Sequence, residues 1–228
     1  DVKIRFIVHG NKFNFTSQNI KRMLTVHKLV LNPFQENTYI IEASNKDCII
    51  VDPGCSNSME NNQLKALIVK NGLKPVALVL THFHLDHVFG NQFVKDEWGL
   101  LPTGHKDGES TLKGNKRACE MYGLPYIPSP DIAHFMVDGD VIKLGDDEIK
   151  VIHVPGHSTG HIALVCEKSN WVVAGDVLFQ NSIGRTDLPG GDLNVLEKSI
   201  KEKMYLLPED MVVYCGHGPE TSIGNEKF

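Results

Sequence analysis

Between His82 and His87 the chain reads His-Phe-His-Leu-Asp-His, three imidazoles and one carboxylate in six positions. Neutral imidazole and ionised carboxylate are standard ligands for zinc and similar ions. Three further donors follow the same style of placement: His157 after Pro155-Gly156, Asp176 after Gly175, and His217 between Gly216 and Gly218. The candidate ligands are therefore His82, His84, Asp86, His87, His157, Asp176 and His217. A catalytic zinc takes three protein ligands and a water, so this set is too large for one ion and divides between two that share a carboxylate. Two ions held about 4 Å apart trap a hydroxide, lower its pKa toward neutrality and stabilise an oxyanion. The pattern predicts a two-metal centre.

Such a centre needs a rigid edge, and the elements around each donor supply one. Pro75 to Leu80 (PVALVL) reads as a buried strand that runs into Thr81 and the His-rich stretch. Glu148 to Val154 is a strand ending at Pro155-Gly156-His157, and Ile162–Cys166 with Trp171–Ala174 reads as a hairpin released at Gly175-Asp176. Met211 to Tyr214 leads into Cys215-Gly216-His217. Before these, Leu24–Leu31, Thr38–Ala43 and Cys48–Val51 form a meander closed by Asp52-Pro53-Gly54. Helices are predicted over Ser58–Lys70, toward Trp98, over Asp107–Tyr122 and over Asp192–Tyr205. Gly123 to Pro130, with three prolines, is a loop long enough to border a site. Two halves, each β-rich and then helical, predict an α+β fold, a four-layered αββα sandwich with the donors along one edge.

Composition narrows the class. Hydrophobic residues make up 41% and charged residues 22%, ordinary for a globular chain. A net charge of −5 argues against nucleic acid as a partner, and no apolar run reaches the roughly 18 residues of a membrane helix. Five cysteines, odd in number and without a Cys-x-x-Cys pair, fit a reducing compartment, and with no secretory signal the expected location is cytoplasmic. Residues 1–22 carry Lys3, Arg5, Lys12, Lys21 and Arg22 against Asp1 alone, and are read as an extension or as a peripheral strand.

The chain resembles the metallo-β-lactamase superfamily, and within it the short glyoxalase II-like hydrolases. The resemblance is carried by NPFQENTY (Asn32 to Tyr39), DPG (Asp52 to Gly54), THFHLDH, PGHSTGH (Pro155 to His161), GDVLFQNSIGRTDLPGGD (Gly175 to Asp192) and CGHGPETSIGNEK (Cys215 to Lys227). It covers residues 23–228, which it identifies as one metallo-β-lactamase-like domain. It implies that His82, His84 and His157 hold one metal, that Asp86, His87 and His217 hold the other, and that Asp176 bridges. Zinc is the first expectation, with iron or manganese as the others. The resemblance also implies that Asp86 orients the attacking hydroxide. A thioester suits a site without a strong general acid, because a thiolate leaves unprotonated. The expected substrate is therefore a small-molecule thioester of the hydroxyacylglutathione type.

Arg185 stands where glyoxalase II places a basic residue for the glutathione backbone, but Asp187 replaces that family's substrate-binding tyrosine, and no helical C-terminal domain follows Gly218. Arg185 is expected to bind substrate or to pair with Asp187 or Asp192. His153 and His161 are read as hydrogen-bonding neighbours of the ligands, Cys215 as a buried strand residue and Asp52 as a hydrogen-bonding or turn residue. Alternatives are an iron-dependent persulfide dioxygenase-like enzyme, a lactone or ester hydrolase of the same superfamily, and a non-catalytic metal-binding protein. Oligomeric state is not legible.

Overall fold

A computed structural model describes residues 23–227; the expectation for residues 1–22 lies outside them. The first half runs β1 (Thr25–Leu31), β2 (Glu36–Glu42), β3 (Asp47–Val51), α1 (Ser58–Lys70), β4 (Lys74–Val79), α2 (Leu85–Val88), α3 (Asn91–Trp98), β5 (Pro102–Gly104), α4 (Glu109–Tyr122) and β6 (His134–Phe135). The second runs β7 (Val141–Leu144), β8 (Asp147–His153), β9 (Ile162–Cys166), β10 (Trp171–Gly175), β11 (Leu178–Phe179), β12 (Ser182–Ile183), α5 (Leu193–Glu202), β13 (Val212–Cys215), β14 (Thr221–Ser222) and α6 (Ile223–Glu226).

Two six-stranded sheets result, in the orders β1-β2-β3-β4-β5-β6 and β14-β13-β10-β9-β8-β7. In each, an antiparallel meander passes to a parallel neighbour through a helical crossover, β3 to β4 through α1 and β10 to β13 through α5. The two-residue alternation of the strands decides what the sheets face. Tyr39, Ile41, Ile49 and Val51 meet Ile162, Leu164, Trp171 and Val173 between the sheets. The intervening Ile40 and Ile50 pack outward under Leu64 and Ile68 of α1, and Ala163, Val165 and Val172 pack outward under Leu196 and Ile200 of α5. This is the four-layered αββα sandwich that the sequence predicts.

Both crossover helices are capped as their sequences require. The Asn57 side chain accepts from the amides of Met59 and Glu60, and Asp192 accepts from Val195 at 3.1 Å. Three boundaries differ from the sequence reading. β2 starts at Glu36, because the polar residues Glu36, Asn37 and Thr38 are buried against the other half rather than lying in a turn. A 3-10 turn, Lys106–Gly108, precedes α4, and another, Met204–Leu206, follows α5. The short pairings β5, β6, β11 and β12 have no readable alternation.

Candidate metal centre

Every candidate ligand leaves the C-terminal end of a strand or the turn just beyond it. β4 delivers His82, His84, Asp86 and His87, with α2 turning the last two inward; β8 delivers His157, β10 Asp176 and β13 His217. His82, His84 and His157 each bring one ligand atom within 4.8 Å of the others, and so do Asp86, His87 and His217. Asp176 stands between the groups. Its Oδ2 is 3.6 Å from Nε2 of His157 and 3.5 Å from Nε2 of His217, and its Oδ1 is 3.4 Å from Nε2 of His87. The seven residues singled out from sequence are thus brought to one place.

Hydrogen bonds at the backs of the rings decide which nitrogens face the centre. Nδ1–H of His157 donates to the carbonyl of Arg185 at 2.8 Å, and Nδ1–H of His217 donates to the carbonyl of Phe34 at 3.0 Å. Asp52 serves two other rings. Its carboxylate accepts from Nδ1–H of His87 at 3.1 Å and from the Thr81 hydroxyl at 2.6 Å, and that hydroxyl accepts in turn from Nδ1–H of His82 at 3.1 Å. Nε2 of His82, Nε2 of His87 and Oδ1 of Asp176 are left buried with no hydrogen-bond partner. Each such atom costs about 1–3 kcal/mol when nothing satisfies it. Nδ1 of His84 and Nε2 of His157 converge to 2.8 Å beside them. Bare nitrogens and a bare carboxylate oxygen aimed at one point are what divalent ions require, so the residues fit a metal pair.

The electrostatics agree. Burial keeps His82 and His157 below the ordinary imidazole range, and burial with the nearby His157 takes His84 to about 4, so these rings are neutral donors at pH 7. Burial works against charge on Asp176 as well, but His87 and His217 hold its carboxyl well below the usual range. His217 is opposed by burial and still raised to about 10 by its hydrogen bonds to Asp176 and Asp86. The second half of the centre is therefore a carboxylate field that attracts cations.

Local chain geometry explains several sequence choices. Gly156 has φ +129, and a Cβ there would lie 2.2 Å from the backbone nitrogen of Leu196, so only glycine lets the His157 loop seat on α5. The amide of Asp192 and the hydroxyl of Ser199 then donate to the carbonyls of Gly156 and Pro155. A Cβ on Gly216 would stand 2.0 Å from Oδ1 of Asp176, so the His217 loop can pass the carboxylate only as glycine.

Sequence reasoning assigned no site role to Asn37 and Tyr39, whose side chains knit the halves together, or to Asn32 and Glu36, which pack behind Asp86 and His87. Nδ2 of Asn37 donates to the carbonyls of Cys215 and Gly218, both at 2.9 Å, and the Tyr39 hydroxyl donates to that of Cys215 at 2.7 Å. Nδ2 of Asn32 donates to the carbonyl of Asp86 at 2.9 Å. Glu36 is wholly buried behind His87, and burial raises its carboxyl well above the usual range. The available signal was four consecutive polar residues, Gln35 to Thr38, leading into an apolar strand.

His161 and Cys215 behave as read, whereas His153 stacks on His105 and hydrogen-bonds no candidate ligand. Nε2 of His161 accepts from the amide of Asp176 at 3.1 Å, and its ring stacks on His82 at 4.7 Å. His153 donates to the carbonyl of Thr159, and Cys215 is buried. His105, Asp107 and His153 also come close together. The two rings, however, lie parallel, 4.1 Å apart at 4°, so their in-plane lone pairs do not converge on one ion.

A cavity of ≈ 780 Å³ opens over the centre. One wall is the face of α4 carrying Gly114, Ala118 and Tyr122; the others include Phe34, Phe179, Ile183 and Leu188. The Gly123–Pro130 loop, expected to border the site, instead lines a separate cavity of ≈ 100 Å³ behind α4, because the helix stands between it and the metal ligands. Arg185 lines the large cavity but is exposed and paired with Asp187, Nε to Oδ1 and Nη2 to Oδ2, both at 2.6 Å. No helix among the described residues is long and apolar enough to cross a membrane.

Comparison with known proteins agrees with this geometry. The chain is 34% identical over 207 residues to hydroxyacylglutathione hydrolase GloC of Haemophilus influenzae, covering 90% of this chain and 95% of that one. Among solved structures it is similar to the BLEG-1 B3 metallo-beta-lactamase, with a TM-score of 0.80, 33% identity and coverage of 89% and 96%. It is also similar to TTHA1623 in a di-iron-bound form, with a TM-score of 0.79, 35% identity and coverage of 88% and 96%. The sequence profile of the metallo-beta-lactamase superfamily matches residues 31–217, so the chain, with its strand-end ligands and paired sheets, belongs to that superfamily of metal-dependent hydrolases.

Proposed function

We propose that the protein is a binuclear metal-dependent hydrolase that cleaves thioesters of small hydroxyacyl acids. The observation that carries this reading is the position of Asp176, within 3.6 Å of ring nitrogens from both ligand groups. His82, His84 and His157 would hold one ion, Asp86, His87 and His217 the other, and Asp176 both. Zinc is the first expectation, and imidazole with carboxylate also accommodates iron or manganese; the di-iron form of TTHA1623 illustrates the second case. When bound, the two ions supply a hydroxide at neutral pH and a Lewis acid for the carbonyl oxygen.

The residues of the chain do the rest. Oδ2 of Asp86, 3.2 Å from Nε2 of His217, faces the shared space and orients the nucleophile. The apolar walls exclude bulk water from the reacting carbonyl. A C–O bond forms as the C–S bond breaks, the thiolate leaves with the bonding electrons, and the proton of the new carboxylic acid passes to solvent. Besides the ligands, the charged side chain lining the cavity among the described residues is Arg185, which holds its proton too tightly to give it to an amine leaving group. That favours thioesters over amides and lactams. Resemblance to GloC supports the same choice.

The test is a panel of hydroxyacyl thioesters, lactones and β-lactams assayed on metal-replete protein, with metal content measured on the same sample. Thioester turnover dominant at two ions per chain is the expected result. Lactam hydrolysis exceeding thioester hydrolysis, or full activity at one ion per chain, overturns it.

A further inference from the structure

The charge of the cavity wall bears on the thiol half of the substrate. Apart from the metal ligands, Arg185 is the one charged side chain lining the cavity among the described residues. Its guanidinium is committed to Asp187 in a bidentate pair at 2.6 Å on both arms, and Tyr122 adds a further polar contact that favours its charge. A planar fork bound this way presents its best donors to Asp187 rather than to an incoming carboxylate. The remaining wall mixes apolar residues such as Phe34 and Phe179 with uncharged polar ones such as Ser110, Thr159 and Gln180, and none of these supplies a positive charge to an anion.

We infer, building on the thioester reading above, that the cavity favours ligands whose thiol half carries no net negative charge, and that Asp187 sets this preference by occupying Arg185. The preference is graded rather than absolute. Arg185 and Asp187 are 55% and 67% exposed, and solvent screening limits what an exposed pair can contribute to about fivefold in affinity. An anionic thiol would still bind, at the expense of the pair.

The experiment measures binding calorimetrically, so that it does not depend on turnover. The probes are the S-propyl thioethers of glutathione, which is anionic, and of N-acetylcysteamine, which is neutral, each titrated into the metal-loaded chain and into Asp187→Asn. The expected result is that the neutral thioether binds the native chain at least as tightly, and that Asp187→Asn shifts the ratio of the two dissociation constants about fivefold toward glutathione. Tighter binding of the glutathione thioether by the native chain, or an unchanged ratio in the variant, overturns the inference. Failure to hydrolyse any thioester while this order of binding holds would instead count against the catalytic reading alone.

Discussion

The substitution Asp52→Asn leaves the shape of the side chain almost unchanged and inverts its hydrogen bonding on one side. In the native chain Oδ1 accepts from the Thr81 amide at 2.7 Å, while Oδ2 accepts from both the Thr81 hydroxyl and Nδ1–H of His87. An asparagine in this place could keep its oxygen toward the Thr81 amide only by turning its NH2 toward the other two. The threonine hydroxyl can rotate to accept. The His87 ring cannot keep a proton on Nδ1 facing that NH2, so it shifts to the tautomer with the proton on Nε2, the atom that faces Asp86 and Asp176. A protonated Nε2 is no ligand. Loss of a carboxylate behind a ligating histidine typically costs 10- to 100-fold in metal affinity, about 1.4–2.8 kcal/mol. The cost should fall on the Asp86, His87 and His217 ion more than on the other, because His82 is linked to the substituted side chain only through a rotatable hydroxyl. Chelator-competition titration of the variant should therefore show one site weakened within that range and the other within a few-fold of native. Two sites of native affinity, or two weakened equally, would refute the tautomer argument.

Other consequences are more quickly stated. Gly216→Ala sets a methyl group 2.0 Å from Oδ1 of Asp176 and should reduce turnover at least about 100-fold and lower the melting temperature, because either the carboxylate or the His217 loop with its Asn37 latch must move; parallel kinetics and melting curves check both halves. The chelated protein should be most stable near pH 6.5. As pH falls from about 10, His217 takes a proton in the folded chain before it does so in the unfolded one, so stability rises until the unfolded histidine also titrates. Below 6.5 the unfolded chain protonates His84 while the folded chain resists until about 4, so stability falls. Denaturant midpoints of chelated protein from pH 9 to pH 4.5 would trace that maximum, and a monotonic curve would contradict it.

The candidate ligands were legible because metal chemistry leaves little choice of residue type, and because each donor follows a strand whose apolar run is itself readable. The layers were legible for a related reason: β2, β3, β9 and β10 are buried on both faces, and their helices carry clear caps and stripes. What could not be read was how the halves are fastened. Glu36 and Asn37 fall before the strand read from Thr38, and only the approach of the His217 loop across the sandwich, with the Asn37 amide donating to the Gly216 carbonyl at 2.7 Å, makes burying them favourable. The role of Arg185 was legible only in part. Its side chain was a plain candidate for substrate, but the use of its backbone carbonyl to orient His157 depends on a loop path that residue identities do not specify.

The fastening by Asn37 joins residues 178 and 181 positions apart. During synthesis the N-terminal part of a chain emerges first, so the first three imidazoles of the His82–His87 stretch exist long before His157 and longer still before His217. On the proposed assignment the first ion's three histidines are present once the β8–β9 turn has been made and Asp176 follows at the end of β10, whereas the second ion needs the last loop and its latch. On that assignment loading would be ordered by the chain itself: an ion acquired early would be held by a partial site, and the complete pair of sites would arise only when the two halves close. On the proposed function, hydrolytic competence would then be a signal that folding has finished.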